Sequence, residues 1–255
     1  MPNLIFQNNL QSINSNDVLV ASFPRSGNTW LRLLISDVIL QIHGFETNTK
    51  LPVSIDDIIP DIYQHNVNEI SNSIKLSNRL IKTHELYNKH KEIQQVVYIF
   101  RQPADALCSY YDFLRSHNIV SRTEDKALFV LEKVDQWLEH LLSYGYAKQK
   151  DPSKILFISY EGLHNNPALC LEKVFDFLKI DGVDHEMYLK AVNNHAFDNH
   201  KKLELKNRNK EKENYFYRRG KVNSSMDELA DHILLKVREK TQDVLELAKN
   251  LEVPM

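Results

Sequence analysis

Apolar and polar positions follow two patterns along this chain. Short, continuous apolar runs bounded by charged or turn-forming residues read as strands buried on both faces, and longer stretches with apolar residues at helical spacing read as helices. The runs are Asp17–Phe23, Arg79–Thr83, Gln95–Phe100 and Lys154–Tyr160. The first helix is predicted over Asn28–His43, where Leu31, Leu34, Ile35, Val38, Ile39 and Ile42 share a face, and it stops near Gly44. Further helices are predicted over Asp105–Arg115, Lys126–Lys148, Leu169–Leu178, His185–His195 and Asp227–Lys249. Residues 45–78, with Pro52 and Pro60, read as irregular, and Asn199–Ser225 reads as a long polar segment. Alternating strands and helices predict an α/β fold of three layers: a mostly parallel sheet with helices on both faces. With no internal repeat and no low-complexity linker, residues 1–255 read as a single domain.

In open parallel sheets, ligands bind beyond the carboxyl ends of the strands. After the first strand comes Pro24-Arg25-Ser26-Gly27-Asn28-Thr29-Trp30, a tight loop running into a helix. Its backbone N–H groups, one cation and two hydroxyls suit a phosphate; the alternative is a helix cap with a surface arginine. After the second strand, Lys82-Thr83-His84 puts a cation and an imidazole at the sheet mouth, able to stabilise an anion and accept a proton, or to serve only structure. After the third, Arg101 and, eight residues on, Ser109 can reach one phosphate; an Arg101–Asp105 pair capping the helix is the other reading. Tyr215-Phe216-Tyr217-Arg218-Arg219-Gly220-Lys221 sets aromatic rings beside paired guanidinium groups, as a nucleotide base and phosphate require, or is part of a charged loop.

Composition removes several classes. The six glycines are Gly27, Gly44, Gly145, Gly162, Gly182 and Gly220, so neither G-x-G-x-x-G nor G-x-x-x-x-G-K-[ST] can be written. Two cysteines, Cys108 and Cys170, exclude a cysteine-rich zinc site and a multi-disulfide scaffold, and their place in helices predicts buried thiols. The net charge is −2, but Lys201–Lys221 holds nine Lys/Arg against three Glu, so a +6 segment sits on a −8 body. That asymmetry points to a local anion site, or to a solvated loop, rather than to a general polyanion binder. Residues 1–16 lack a basic leader pattern, and no stretch approaches the ~20 apolar residues of a membrane span. A soluble, cytoplasmic protein with no membrane or nucleic-acid partner is expected.

Taken together and in order, F-P-R-S-G-N-T-W-L-R, R-L-I-K-T-H, Y-I-F-R-Q-P-A-D-A-L-C-S-Y-Y and F-Y-R-R-G-K closely resemble the sulfotransferases that use 3′-phosphoadenosine 5′-phosphosulfate (PAPS). The similarity is to the cytosolic, small-molecule branch, with a bacterial-like character, and runs from about residue 17 to about residue 225. It implies a P-loop-like phosphosulfate-binding loop made of Arg25, Ser26, Gly27, Asn28 and Thr29, with Trp30 beside the adenine. It implies that Arg101 and Ser109 hold the 3′-phosphate together with Arg218, Arg219 and Gly220. Tyr160, Phe197 and Phe216 match adenine-contacting aromatics. His84 matches the general base and Lys82 the lysine that helps hold the transferred group, with Arg25 adding charge stabilisation. An ordinary histidine pKa near ~6.5 suits that base. Sulfuryl transfer needs positioning and charge stabilisation, which arginine and lysine supply without a metal.

Three features depart from the family pattern. Many relatives carry lysine at the position of Arg25. The R-R-G is followed by Val222-Asn223-Ser224-Ser225 rather than by a Gly and a Trp, and the dimer motif of animal members is not recognisable. The acceptor expected is a hydroxyl or amine of a small molecule. Asp56, Asp57 and Asp61 near the acceptor entrance would favour a cationic one, such as a guanidinium alkaloid toxin from secondary metabolism, while a phenol or simple alcohol is the conservative choice. The rivals are a nucleotide kinase-like phosphotransferase and a non-catalytic adenosine-bisphosphate or RNA binder.

Overall fold

The structure is a computed structural model describing residues 4–252 except 68–73, 75, 90–92, 94, 122, 197, 200–201 and 203–221. Its strands are β1 (Val18–Ala21), β2 (Leu80–Thr83), β3 (Gln95–Phe100) and β4 (Ile155–Ser159). All pair in parallel, in the order β2-β1-β3-β4. The helices are α1 (Leu4–Ser12), α2 (Asn28–Ile42), α3 (Pro103–Ser116), α4 (Lys126–Lys150), α5 (Tyr160–Asn165), α6 (Pro167–Leu178), α7 (His185–Asn194) and α8 (Asp231–Leu251).

The strand pleat explains the layers. Along β1, Val18 and Val20 join one apolar cluster, with α2, α6 and α7, while Leu19 and Ala21 join the other, with α3, α4 and α8. In β3, Val97 and Ile99 face the first cluster, and Val96, Tyr98 and Phe100 face the second. A strand buried on both faces has no polar alternation to show, which is why each reads as an unbroken apolar run. The predicted three-layer α/β class is the fold observed.

Local chemistry sets the ends of the elements. Asp125 and Asp184 accept from the N–H groups of Leu128 and Met187 and start α4 and α7. Pro167 takes the first turn of α6, where its missing N–H costs nothing. Expected strand ends were one or two residues too generous, and the last helix begins at Asp231 rather than Asp227, after a 3-10 turn over Ser224–Asp227. Two short helices, α1 and α5, were not predicted. Asn9 of α1 is buried and donates to the carbonyls of Ile62 (2.8 Å) and His65 (2.7 Å) while accepting from Val67 N. The first helix therefore buttresses the segment that turns toward the mouth of β2.

Candidate active site

The loop after β1 has an unusual backbone. Arg25 adopts φ 66° and Gly27 φ 100°, both in the left-handed region. A side chain at Gly27 would place its Cβ 2.6 Å from Tyr160 Cδ2, so only glycine lets the loop approach that ring. Gly27 also starts α2 without any side-chain cap, leaving the first N–H groups of the helix without a side-chain acceptor from the cap residue. Beneath the loop, Ser26 is 0% exposed and its Oγ has no hydrogen-bond partner among the described residues; the same holds for Asn28 Oδ1, whose Nδ2 donates to Val20 O at 3.0 Å. Buried polar atoms in such a state are uncommon and point to a missing partner.

The neighbours of this loop carry cations on aromatic faces. Arg25 donates from Nε to Ser109 Oγ (3.2 Å), and its guanidinium lies 5.2 Å from the Phe113 ring centroid. Arg101 lies 4.3 Å from the Tyr160 centroid, donates to Arg25 O (3.4 Å) and sits 3.6 Å from Asp105 Oδ2. Arg101 thus lies both beside Asp105 and against the loop after β1. Asp105 Oδ1 accepts from Ser225 N at 2.8 Å, so the segment that departs from the family pattern after Gly220 is anchored on α3. Trp30 meets Tyr160 edge-on, with centroids 6.1 Å apart, and donates from Nε1 to His195 O (3.0 Å).

At the other end, His84 Nδ1 lies 2.7 Å from Ser22 O. A carbonyl only accepts, so Nδ1 carries the proton and Nε2 keeps its lone pair, the tautomer a base needs. Burial holds the His84 pKa well below 6.5, assisted by the Lys82 charge and only partly offset by the Ser22 hydrogen bond. The expectation of an unperturbed imidazole is thereby corrected: the group stays neutral further into acid. Behind it, His140 donates from Nε2 to His84 O (3.1 Å) and accepts from Tyr98 OH (2.9 Å), and burial lowers its pKa to about 4. Tyr63 stacks on His84 with centroids 6.3 Å apart, accepts from His84 N (3.1 Å) and donates to Glu85 Oε1 (2.8 Å). Burial, with the Glu85 charge, raises its phenol pKa.

The acidic segment behaves differently from its sequence. Asp56 pairs with the buried Arg32 at 2.6 Å, and Arg32 also donates to Ile59 O. Asp61 Oδ2 pairs with Lys82 Nζ at 2.8 Å, both side chains only 11% exposed. Asp57 turns into a capping box with Ser54. Two of the three carboxylates on which the expected cationic acceptor rested are thus paired within the protein. Burial lowers the Lys82 pKa by more than Asp61 raises it. Removing one partner of so buried a pair costs about 3–5 kcal/mol, so Lys82 is not simply available to a ligand.

One cavity of about 850 Å³ joins the two ends. Arg25, Gly27, Asn28, Thr29, Trp30, Lys82, His84, Arg101, Ser109 and Tyr160 all line it, while Ser26 lies below. Phe197, Phe216, Arg218, Arg219 and Gly220 lie outside the described residues. Sequence reasoning did not find Tyr63, Ser22 or Phe113, nor the pairing of Asp61 with Lys82. Nothing local marks Tyr63, or Lys82 as the partner of Asp61: a parallel bridge, Asp61 to Lys82, brings them to the strand end from 21 residues away.

A sulfotransferase domain profile matches residues 15–251. This chain belongs to the sulfotransferase family. It is therefore a sulfotransferase, and PAPS is the donor that its family uses, as the four motifs implied. Flavonol 3-sulfotransferase of Flaveria bidentis is 32% identical over 181 residues, 64% of this chain but 56% of that relative. Cytosolic sulfotransferase 14 of Arabidopsis thaliana is 28% identical over 259 residues, 88% of this chain and 73% of the relative. Among solved structures, mouse sulfotransferase SULT7A1 complexed with PAP superposes with a TM-score of 0.69 at 20% identity, covering 96% of this chain and 91% of that one. Retinol dehydratase in complex with retinol and PAP gives 0.69 at 17% identity, covering 94% and 85%. These two likenesses are of fold. The kinase-like and purely binding readings are not favoured. Among the described residues, no helix is long and apolar enough to cross a membrane.

Proposed function

We propose that this sulfotransferase, acting as one domain over residues 1–255, moves the sulfuryl group of PAPS to a hydroxyl of a small, uncharged acceptor. The observation that carries the reading is the single cavity in which the loop after β1 faces His84. The residues fit the donor: Ser26 Oγ is a buried hydroxyl without a described partner, and the Gly27 cradle would be filled by a Cβ. Arg25, Ser26, Gly27, Asn28 and Thr29 would hold the phosphosulfate, with Arg101 and Ser109 on the 3′-phosphate and Trp30 and Tyr160 beside the adenine. Phe197, Phe216, Arg218, Arg219 and Gly220 complete the proposed nucleotide site.

When bound, PAPS supplies a sulfuryl group attached to a phosphate leaving group. His84 Nε2 would take the proton that the acceptor hydroxyl gives up on becoming the sulfate ester, with adenosine 3′,5′-bisphosphate as the leaving group. Ser22 O fixes the tautomer, and the stacked Tyr63 fixes the ring. Arg25 stays charged at any working pH and contributes electrostatic stabilisation rather than a proton. The neutralised acidic segment removes the argument for a guanidinium alkaloid and favours an alcohol or phenol. We place the reaction in the cytoplasm, in keeping with the relatives named cytosolic sulfotransferases.

Thermal unfolding with adenosine 3′,5′-bisphosphate, AMP and ATP tests the donor site. At ~100 times its dissociation constant, a selective ligand adds about 2.7 kcal/mol to the folded state. A shift confined to the 3′,5′-bisphosphate supports the reading; no shift, or an equal shift with ATP, rejects it.

A further inference from the structure

The Lys82–Asp61 pair raises a problem for any enzyme that needs Lys82 at the transferred group. The pair is built into the backbone: Lys82 N donates to Pro60 O (2.9 Å) and Ile62 N to Lys82 O (3.1 Å), which fixes Asp61 beside the end of β2. Asp61 Oδ1 caps Tyr63 N at 3.0 Å, and Oδ2 holds the Lys82 ammonium, which also lies 5.1 Å from the Tyr63 centroid. Asp61, Lys82 and His84 all line the cavity. Lys82 and His84 are two residues apart along an extended strand end, so they project to one side roughly 7 Å apart. The cavity therefore presents, close to the base, a carboxylate whose present partner is the very cation the reaction would draw away. Apolar lining comes from Tyr110, Phe113 and Leu114 of α3.

We infer that Asp61 is a specificity-determining residue that selects polyhydric phenols: one hydroxyl is sulfated through His84 while a second donates to Asp61 in place of Lys82, releasing Lys82 to the sulfuryl group. The inference rests on the sulfotransfer reading above and deepens it. An acceptor without the second donor must either leave Asp61 unpartnered or leave Lys82 where it is. The aromatic body of the acceptor packs on the α3 side chains. The same arrangement keeps Lys82 off the donor until an acceptor arrives, which restrains acceptor-free hydrolysis of PAPS.

The test uses the three dihydroxybenzenes, each beside its monomethyl ether, with radiolabelled PAPS as donor. A hydrogen bond to a charged group discriminates by about 10-fold to 100-fold. In the wild-type protein, kcat/KM for at least one diol should exceed that for its ether by this factor. Asp61→Asn, which keeps an acceptor oxygen but loses the charge, should lower that ratio several-fold and raise acceptor-free PAPS hydrolysis, while Asp61→Glu should keep the preference. Ratios near 1 for all three isomers in the wild type overturn the inference, as does a preference unchanged in Asp61→Asn. Should that variant not fold, the wild-type ratios and the Asp61→Glu ratios decide. If adenosine 3′,5′-bisphosphate binds but no diol is preferred or sulfated, the inference falls and the donor reading stands; if the nucleotide does not bind, both fall.

Discussion

The two ends of the cavity satisfy their polar groups in opposite ways. At the donor end, Ser26 Oγ and Asn28 Oδ1 are buried without a described partner, Gly27 starts a helix without a side-chain cap, and two guanidinium groups lie over rings. At the acceptor end, Asp56 is on Arg32, Asp61 on Lys82, Tyr63 on Glu85 and His84 on Ser22. Unspent donors, the Ser26 hydroxyl and the N–H groups at the uncapped start of α2, gain hydrogen bonds when an anion binds, whereas Asn28 Oδ1, an acceptor, calls for a donor instead. A site whose charges are already paired must exchange partners, and only a ligand that replaces what it displaces binds well. In the function proposed above, recognition of the donor would follow from the fold, and recognition of the acceptor would be a competition.

The strongest way to break this contrast is to damage each end separately. His84→Ala should lower kcat by about 10²–10⁴-fold, the usual contribution of a general base, while the stabilisation by adenosine 3′,5′-bisphosphate persists. Gly27→Ala should do the reverse in binding. Its Cβ lands 2.6 Å from a ring carbon of Tyr160, the ring against which Arg101 is stacked, and its φ of 100° strains any residue with a side chain. The nucleotide-induced rise in unfolding temperature should vanish. Loss of nucleotide binding in the His84 variant would show that the two ends are not separable.

Acid sharpens the contrast next. His84 and His140 both have folded pKa values below 6.5, so the unfolded chain binds more protons and stability rises with pH. The stability is fully present above about pH 6.5 and is lost as pH falls, for His140 down to about 4. A shift of that size corresponds to on the order of 3 kcal/mol. Denaturant unfolding from pH 7 to 4 should show the slope, and His140→Asn should flatten it. For His84, kcat/KM should hold its plateau below pH 6.5; an acid limb centred at 6.5 would contradict the buried, neutral base.

The strands and the loop after β1 were legible in the sequence and the pairings around the end of β2 were not, for a physical reason. Strands buried on both faces leave unbroken apolar runs, and a loop between strand and helix concentrates its functional groups within seven residues, Pro24 to Trp30. The acceptor wall is assembled from sequence-distant pairs: Asn9 on Ile62 and His65, Asp61 on Lys82, Tyr63 on Glu85. No local period or propensity encodes such pairings. The acidic run of Asp56, Asp57 and Asp61 was visible, but its partners Arg32 and Lys82 were not, so two of its charges were read as unpaired. Helix α1 escaped notice, and among its described side chains Asn9 ties it to the sequence-distant Ile62 and His65.

A smaller effect is expected from Arg25→Lys. Lysine keeps the charge, but an ammonium cannot both donate as Nε does to Ser109 and lie flat over Phe113. Loss of a cation–π contact and one hydrogen bond amounts to about 1–2 kcal/mol, or roughly 5-fold to 30-fold in nucleotide affinity, measured by calorimetric titration.

The smallest effect belongs to Asp57→Asn, and it separates pairing from mere acidity. Asp57 is exposed, and in the contacts described its carboxylate accepts only from Ser54 N at 3.2 Å. Asparagine retains an oxygen for that bond, so stability should change by no more than about 0.5 kcal/mol. If the three aspartates attracted acceptors by bulk charge, removing any of them would weaken a cationic acceptor alike. If pairing governs, Asp57→Asn leaves every acceptor's KM unchanged while Asp61→Asn reorders them. Steady-state kinetics on tyramine and on a dihydroxybenzene decides: a raised KM for tyramine alone in Asp57→Asn would restore the bulk-charge account, and the contrast between the two ends of the cavity would then lie in charge density instead of partner exchange.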